Sequence, residues 1–426
     1  MQTVIMAGGK GTRIRSLRAD VPKPLMEIEG KPILAHEIDC LRRQGFTDII
    51  ITVSHLGQQI VDYFGNGQKF GVNIRYFNET VPLGNAGALF KLRSQLKDPF
   101  LLLDGDVIFN VDLQRFVDFH YAKGGLATLF AYANNHPEDC GLLVTDDNGT
   151  VLQWFTKEDV RPEWYENCVN GGLHILRPQV LDRIDPSLVG QQADGKTITV
   201  DLDRQILKPL CATGKLFCYK SPEYIQDMGT PQRYAGVCED FKTGRIYTRN
   251  LQHRQKAVFL TRDGVVNCHG LSLHAAEDFT LLPGVSQAVR TLNEAGRLVI
   301  MFSALPAIPP QEAVTIHHKM ETLLSRDGAY IDKIYNCTQP AETADPVSGG
   351  GAVICSEKLR QAAQTFNIDL AQSWVVSADE ETLSAGISVG CKTAFVGTKN
   401  AGRYLTASSL AEVVPYLLNY QEPVTV

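Results

Sequence analysis

The chain has 426 residues, 44% hydrophobic and 21% charged, a soluble globular composition with more length than one ordinary core needs. Its 41 basic and 47 acidic side chains leave a net charge of −6, so it has no general attraction for nucleic acid or an anionic membrane, although a local basic phosphate site remains compatible with it. No apolar run reaches bilayer-spanning length, no leader-type segment precedes the first strand, and ten scattered cysteines lack a Cys-x-x-Cys pair, so a cytoplasmic protein with reduced thiols is expected.

The first element is a buried strand over residues 3–6, which runs into Gly8, Gly9 and Gly11. Such a turn lets the backbone approach an anion closely, and Arg13 and Lys23 add positive charge beside it. It is not a Walker loop, since Gly-Lys-Ser/Thr is missing, and Gly-x-Gly-x-x-Gly cannot be read through Gly9, Gly11 and Ile14. Helical patterns over 32–45, 58–64 and 86–95 then alternate with apolar runs at 48–54, 73–77 and 100–106. That alternation predicts βαβ units on a mainly parallel sheet, whose ligands bind outside the carboxyl ends of the strands. Asp104 and Asp106 end the most apolar of these strands, where a carboxylate calls for a cation, and Mg²⁺ with phosphate oxygens would serve. Beyond residue 139 the pattern changes to short strands, with a hairpin turning at Asp147-Asn148-Gly149. A polar stretch at 249–255 precedes a second βαβ series. The expected division is 1–242, a linker at 243–255, and 256–426.

GGKGTR followed by PKPL, between Ala7 and Leu25, resembles the signature of the sugar-1-phosphate nucleotidyltransferases. The resemblance implies an α/β, Rossmann-like (GT-A-like) domain that joins a nucleoside triphosphate to a sugar 1-phosphate and releases pyrophosphate. It assigns Ala7, Gly8, Gly9, Gly11 and Thr12 to the nucleotide, Arg13 to its β/γ-phosphates, and Lys23 to the transferring and leaving phosphates. VPLGNAGAL resembles the family segment that borders base and sugar, adding Pro82 and Gly84. The family's metal-binding aspartate falls on Asp106, and Asp104 stands where asparagine is frequent. Gly141 matches a glycine of the sugar-phosphate insert, and Lys157 matches the lysine of Glu-Lys-Pro, with Thr156 and Glu158 in place of its neighbours. CVNGGLHIL gives Asn170, Gly171 and Gly172 as sugar contacts, with His174 a structural strand residue. DMGTP gives Asp227 as the second Mg²⁺ ligand. Among relatives the first domain most resembles the guanylyltransferases, with short VPKPL and VPLGNAGAL segments, and that resemblance implies GTP with mannose 1-phosphate or D-glycero-D-manno-heptose 1-phosphate as acceptor. A homo-oligomer is compatible with a two-domain chain of this size.

The second series, opening at KAVFLTRDGVVN, resembles the haloacid-dehalogenase type, and within it the cap-less heptose-1,7-bisphosphate phosphatases. Thr261 stands where that family has its aspartate nucleophile, while Asp263 keeps the acid/base position. Ser303 stands for the phosphate-binding Thr/Ser, Asp345 precedes Pro346 where a lysine is expected, and Ala378 replaces a Mg²⁺-binding aspartate. A threonine hydroxyl without an adjacent base is a poor nucleophile, so a non-catalytic structural or regulatory domain is expected. A bifunctional phosphatase/transferase and a non-catalytic sensor of sugar nucleotides remain as alternatives.

Overall fold

The computed structural model describes residues 1–9, 20–81, 83–193, 196–268, 273, 275–303, 308–336, 356–397 and 405–420. Gly11, Thr12, Arg13, Pro82 and Asp345 lie outside the described residues. The chain divides into two compact units. The first comprises Met1–Tyr132, Gly141–Glu158 and Asn170–Tyr247; the second comprises Ala133–Cys140, Asp159–Val169 and Thr248–Val426.

In the first unit, strand Gln2–Met6 lies between Phe100–Asp104 and Asp48–Val53, parallel to both, and Asn73–Asn78 continues the parallel run. Each crossover is helical: Ile33–Arg43, Gly57–Phe64, and Gly87–Leu92 followed by the 3₁₀ turn Arg93–Gln95. Strand side chains alternate between faces. Ile5, Ile49, Ile51, Leu101 and Leu103 accordingly pack together with Leu34, Ile38 and Leu41 of the first helix. On the other side of Phe100–Asp104 the sheet turns antiparallel through Val169–Leu176, which is the insert anticipated from the change of pattern. The hairpin joins Leu142–Thr145 to Val151–Phe155. Its turn is closed by Asp146, whose Oδ1 accepts from the Asn148 and Thr150 amides, with Gly149 at φ +79°.

The second unit holds a sheet ordered Lys333–Asn336, Leu298–Ser303, Ala257–Thr261, Trp374–Ser377, Lys392–Val396 and Leu405–Ala407, parallel throughout. Val258 and Leu260 face the helices Val285–Glu294, Pro310–Arg326 and Leu410–Asn419, whereas Ala257 and Phe259 face Ser356–Phe366 and Glu380–Ser388. Helices on both faces explain why these strands read as continuous apolar runs. Arg249, 5% exposed, donates to both oxygens of Asp332 at 2.6 and 3.3 Å and to the Arg297 carbonyl at 2.7 Å. The short segments 133–140 and 159–169 belong to this unit as well. In one of them Trp164 has Lys319 and Arg326 each 5.4 Å from its ring centroid, and the Tyr165 amide donates to Thr322 Oγ1 at 3.0 Å.

No helix among the described residues is long and apolar enough to cross a membrane.

Candidate active site

The site forms where strands of the first unit end. Met6 pairs with Asp104 in register, and the Gly105 amide donates to the Met6 carbonyl at 3.0 Å. A β-carbon on Gly105 would stand 3.1 Å from that carbonyl, a tight contact that a glycine avoids. Ala7 is tied to the neighbouring strand through Thr52, and the Gly8 carbonyl accepts from Ser54 Oγ. Gly9 is exposed with open space where a side chain would be. Lys23 begins the 3₁₀ turn Lys23–Leu25, which Pro22 and Pro24 stiffen, and its largely buried ammonium group pairs with Asp106.

The carboxylates meet through strand pairing. Val107–Asn110 and Tyr224–Asp227 are antiparallel with Val107 opposite Asp227, and the Met228 amide donates to the Asp106 carbonyl at 3.1 Å. Asp106 and Asp227, more than a hundred residues apart in sequence, thus become neighbours. Arg233 donates to both oxygens of Asp227 at 2.9 and 2.8 Å, and the Gly229 amide donates at 2.8 Å. Burial works against the Asp227 anion, but Arg233 and that amide hold its carboxyl below the ordinary range. Asp104 behaves oppositely: burial, then the charges of Asp106 and Asp203, push it well above that range.

No group of three or more His, Cys, Asp or Glu side chains among the described residues is arranged to hold a metal ion. The pair Asp106 and Asp227 nevertheless fits Mg²⁺ in donor chemistry, because that ion is held by one or two carboxylates together with substrate phosphate oxygens. Both are partly exposed, and each is balanced by a cation, Lys23 or Arg233.

Two carboxylates went unnoticed in the sequence. Glu37, 1% exposed, sits on the apolar face of helix Ile33–Arg43 among Leu34, Ile38 and Leu41; its Oε1 accepts from the Val107 amide at 3.1 Å, and its buried Oε2 has no partner among the described residues. A charged residue inside an apolar helical stripe was the available signal. Asp203, on the helical turn Leu202–Leu207, is raised to about 7 by burial and then by Asp201, against Arg204. It had no distinguishing signal, since Asp201-Leu202-Asp203 reads as an ordinary acidic helix start.

Burial, then Asp106, push Glu37 well above the usual carboxylate range, against the Val107 amide that favours the anion. An acid with a raised folded-state pKa keeps a proton that the unfolded chain has released above about pH 4.3, so its contribution to stability falls as pH rises through that window. Glu37→Gln cannot titrate. In metal-free protein the melting temperature of the variant minus that of the wild type is expected to increase by a few degrees from about pH 4 to about pH 8; a difference flat with pH would show that Glu37 carries no proton in the folded state.

The residues expected at the sugar phosphate are placed unevenly. Asn170 Oδ1 accepts from the Gly172 amide at 3.3 Å and lies 3.1 Å from His174 Nε2. Burial lowers His174 to about 4, so the neutral ring serves to orient Asn170. Gly172, at φ +76°, lies against Asp104, where a β-carbon would come within 3.0 Å of Oδ2. Gly171 packs against Ile225 and the Phe130 carbonyl, and Gly141 against Trp154, so both have packing reasons to be glycine. Gly84, at φ +84°, is crowded by the Val200 backbone and likewise needs no ligand to explain it. Lys157 is exposed and makes no ion pair among the described residues, while its neighbour Glu158 pairs with Arg204.

At the strand ends of the second unit, Thr261 Oγ1 donates to Ser377 Oγ at 3.2 Å, and Ser377 Oγ also accepts from the Asp379 amide at 3.0 Å. Asp263 is held by Arg262 and by Asn267 Nδ2 at 3.1 Å, and Ser303 Oγ lies 3.0 Å from His317 Nε2. Ala378 leaves its position without a carboxylate. Thr261, Asp263 and Ser303 thus each have a hydrogen-bond partner within the unit.

Comparison with known proteins follows the first unit. The chain is 30% identical to "Mannose-1-phosphate guanylyltransferase catalytic subunit beta" of Dictyostelium discoideum over 271 residues, 62% of this chain and 70% of that protein. It is 32% identical to "Mannose-1-phosphate guanyltransferase" of Kluyveromyces lactis over 272 residues, 62% of this chain and 70% of that protein. It is also 37% identical over 210 residues to "UTP--glucose-1-phosphate uridylyltransferase" of Synechocystis, covering 46% of this chain and 53% of that protein. With residues 2–243 matching the "Nucleotidyl transferase" family, the chain belongs to that family, and its first unit is the family's mixed α/β domain.

Proposed function

We propose that the chain transfers a nucleoside monophosphate, GMP from GTP in the favoured reading, to the phosphate of mannose 1-phosphate or D-glycero-D-manno-heptose 1-phosphate and releases pyrophosphate. The observation that carries this is the meeting of Lys23, Asp106 and Asp227 at the carboxyl edge of the sheet, in a domain whose relatives include guanylyltransferases. The sugar phosphate is already ionised at neutral pH, so attack on the α-phosphorus needs no general base, and the protein's task is positioning and charge stabilisation. The turn at Gly8 and Gly9 receives the triphosphate, Arg13 holds its β/γ end, Lys23 faces the transferring and leaving phosphates, and Lys157 meets the attacking phosphate. Asp106 and Asp227 would hold Mg²⁺, which when bound neutralises phosphate oxygens and polarises the phosphorus. The reaction belongs to the cytoplasm, where nucleoside triphosphates are supplied.

The second unit is read as a haloacid-dehalogenase-type domain over residues 256–426 that has lost its chemistry. Thr261, hydrogen-bonded to Ser377, supports this, since no carboxylate stands in the nucleophile's place. The test is a panel of each nucleoside triphosphate with Mg²⁺ and mannose or heptose 1-phosphate, followed for pyrophosphate, and heptose bisphosphate followed for phosphate. Pyrophosphate with GTP and no phosphate is expected. Phosphate release would make the protein bifunctional, and neither product would make it a sensor.

A further inference from the structure

Three connections fix the backbone around Asp203. The Val200 amide donates to the Leu83 carbonyl at 2.8 Å, and the Ala86 amide donates to the Val200 carbonyl at 3.1 Å. The Leu202 amide donates to Asn85 Oδ1 at 2.8 Å, which fastens the start of the turn Leu202–Leu207 to the VPLGNAG segment. Asp201 caps the turn, accepting from the Arg204 amide at 2.8 Å, while its own amide donates to Gln205 Oε1 at 2.7 Å. The next residue, Arg204, pairs with Glu158, which adjoins Lys157. Asp203 is therefore held between the segment expected at the nucleotide and the turn expected at the sugar phosphate.

Its carboxylate is nevertheless unserved. It is partly buried and accepts no hydrogen bond from any described residue, although its charge is felt at Asp104, which lies against Gly172. A partly desolvated acceptor pair of this kind calls for donors. A phosphate is the wrong partner for Asp203 itself, whose acidic neighbours are Asp201 and Asp104 and which no metal ion is expected to bridge. Neutral hydroxyl groups, which both donate and accept, suit a carboxyl in this acidic neighbourhood, and a polyol presents them in rows. We propose that Asp203 accepts hydrogen bonds from the hydroxyls of the acceptor sugar and so selects it, a proposal that rests on the transferase reading. Ribose carries the same chemistry. The pairing of Arg204 with Glu158, next to Lys157, favours the sugar of the sugar 1-phosphate.

The experiment uses the full chain carrying Asp203→Asn or Asp203→Ala, each checked for an unchanged melting curve. Mannose 1-phosphate, its monodeoxy analogues, GTP and 2′-deoxy-GTP are the probes. The expected result for Asp203→Asn is a KM for mannose 1-phosphate raised about 10- to 100-fold, with the KM for GTP within about twofold. One deoxy analogue should discriminate against the wild type and no longer against the variant. Equal rises in both KM values, or sugar discrimination surviving in the variants, would overturn the proposal, and lost discrimination against 2′-deoxy-GTP would assign Asp203 to ribose instead. A wild type that releases no pyrophosphate from any substrate pair refutes the transferase reading. Calorimetric binding of mannose 1-phosphate then still decides for Asp203, because binding lost in Asp203→Asn supports the contact, and binding that is equal or absent in both rejects it.

Discussion

Lys23→Ala is expected to lower kcat for pyrophosphate release by about 10³-fold at saturating substrates. The ammonium group is placed by a turn that Pro22 and Pro24 restrict, and it lies against Asp106 at the edge where the triphosphate would sit. In the proposed reaction negative charge accumulates on the oxygens leaving with pyrophosphate, so a fixed cation there stabilises the transition state more than the bound substrates. Removing it also leaves Asp106 beside Asp104 and Asp227 without its counter-ion. Asp106 is about a third exposed, so solvent screens much of that repulsion and a moderate fall in melting temperature is expected. Lys23→Arg keeps the charge but brings a planar group into a site made for a compact one, and partial recovery is expected. A Lys23→Ala enzyme within tenfold of the wild type would remove Lys23 from the chemistry.

Much of this arrangement was legible in the sequence because it rests on local rules. Apolar runs separated by helical patterns produced the parallel core, and glycines at a strand end followed by Pro-Lys-Pro marked the edge where Lys23 meets Asp106. Asp147-Asn148-Gly149 announced the hairpin. What escaped depends on contacts distant in sequence. Asp203 acquires its position from a hydrogen bond between Leu202 and Asn85, 117 residues apart, and nothing near Asp203 reports that bond. Glu37 gains its meaning only when the strand Val107–Asn110 lays an amide over it. Segments 133–140 and 159–169 read as part of the first half, yet they belong to the second unit, where Trp164 lies near two cations. Glycines are ambiguous in another way. Gly84 and Gly141 stand in motif-like positions, but a Val200 backbone and a Trp154 ring already exclude side chains there, so motif membership and packing make the same demand.

The second large effect concerns Asp227. Asp227→Asn is expected to reduce turnover by about 10²- to 10³-fold and to raise the Mg²⁺ concentration for half-maximal activity at least about tenfold, because an amide keeps the shape but removes the charge that a hard cation needs. A second readout separates a metal role from a structural one. Burial opposes the Asp227 anion, but Arg233 and the Gly229 amide hold its carboxyl below the ordinary range. The ionised form therefore adds stability above about pH 4, and that stability is lost as pH falls through the depressed pKa. Asparagine lacks it, so the variant should melt below the wild type at neutral pH and the gap should close in acid. Arg233→Gln shares the stability loss while leaving both carboxylates in place. If Arg233→Gln matched Asp227→Asn in its Mg²⁺ requirement, the Asp227–Arg233 ion pair would be the functional unit and Asp227 would not be a metal ligand. A requirement shifted in Asp227→Asn alone assigns the metal to the carboxylate.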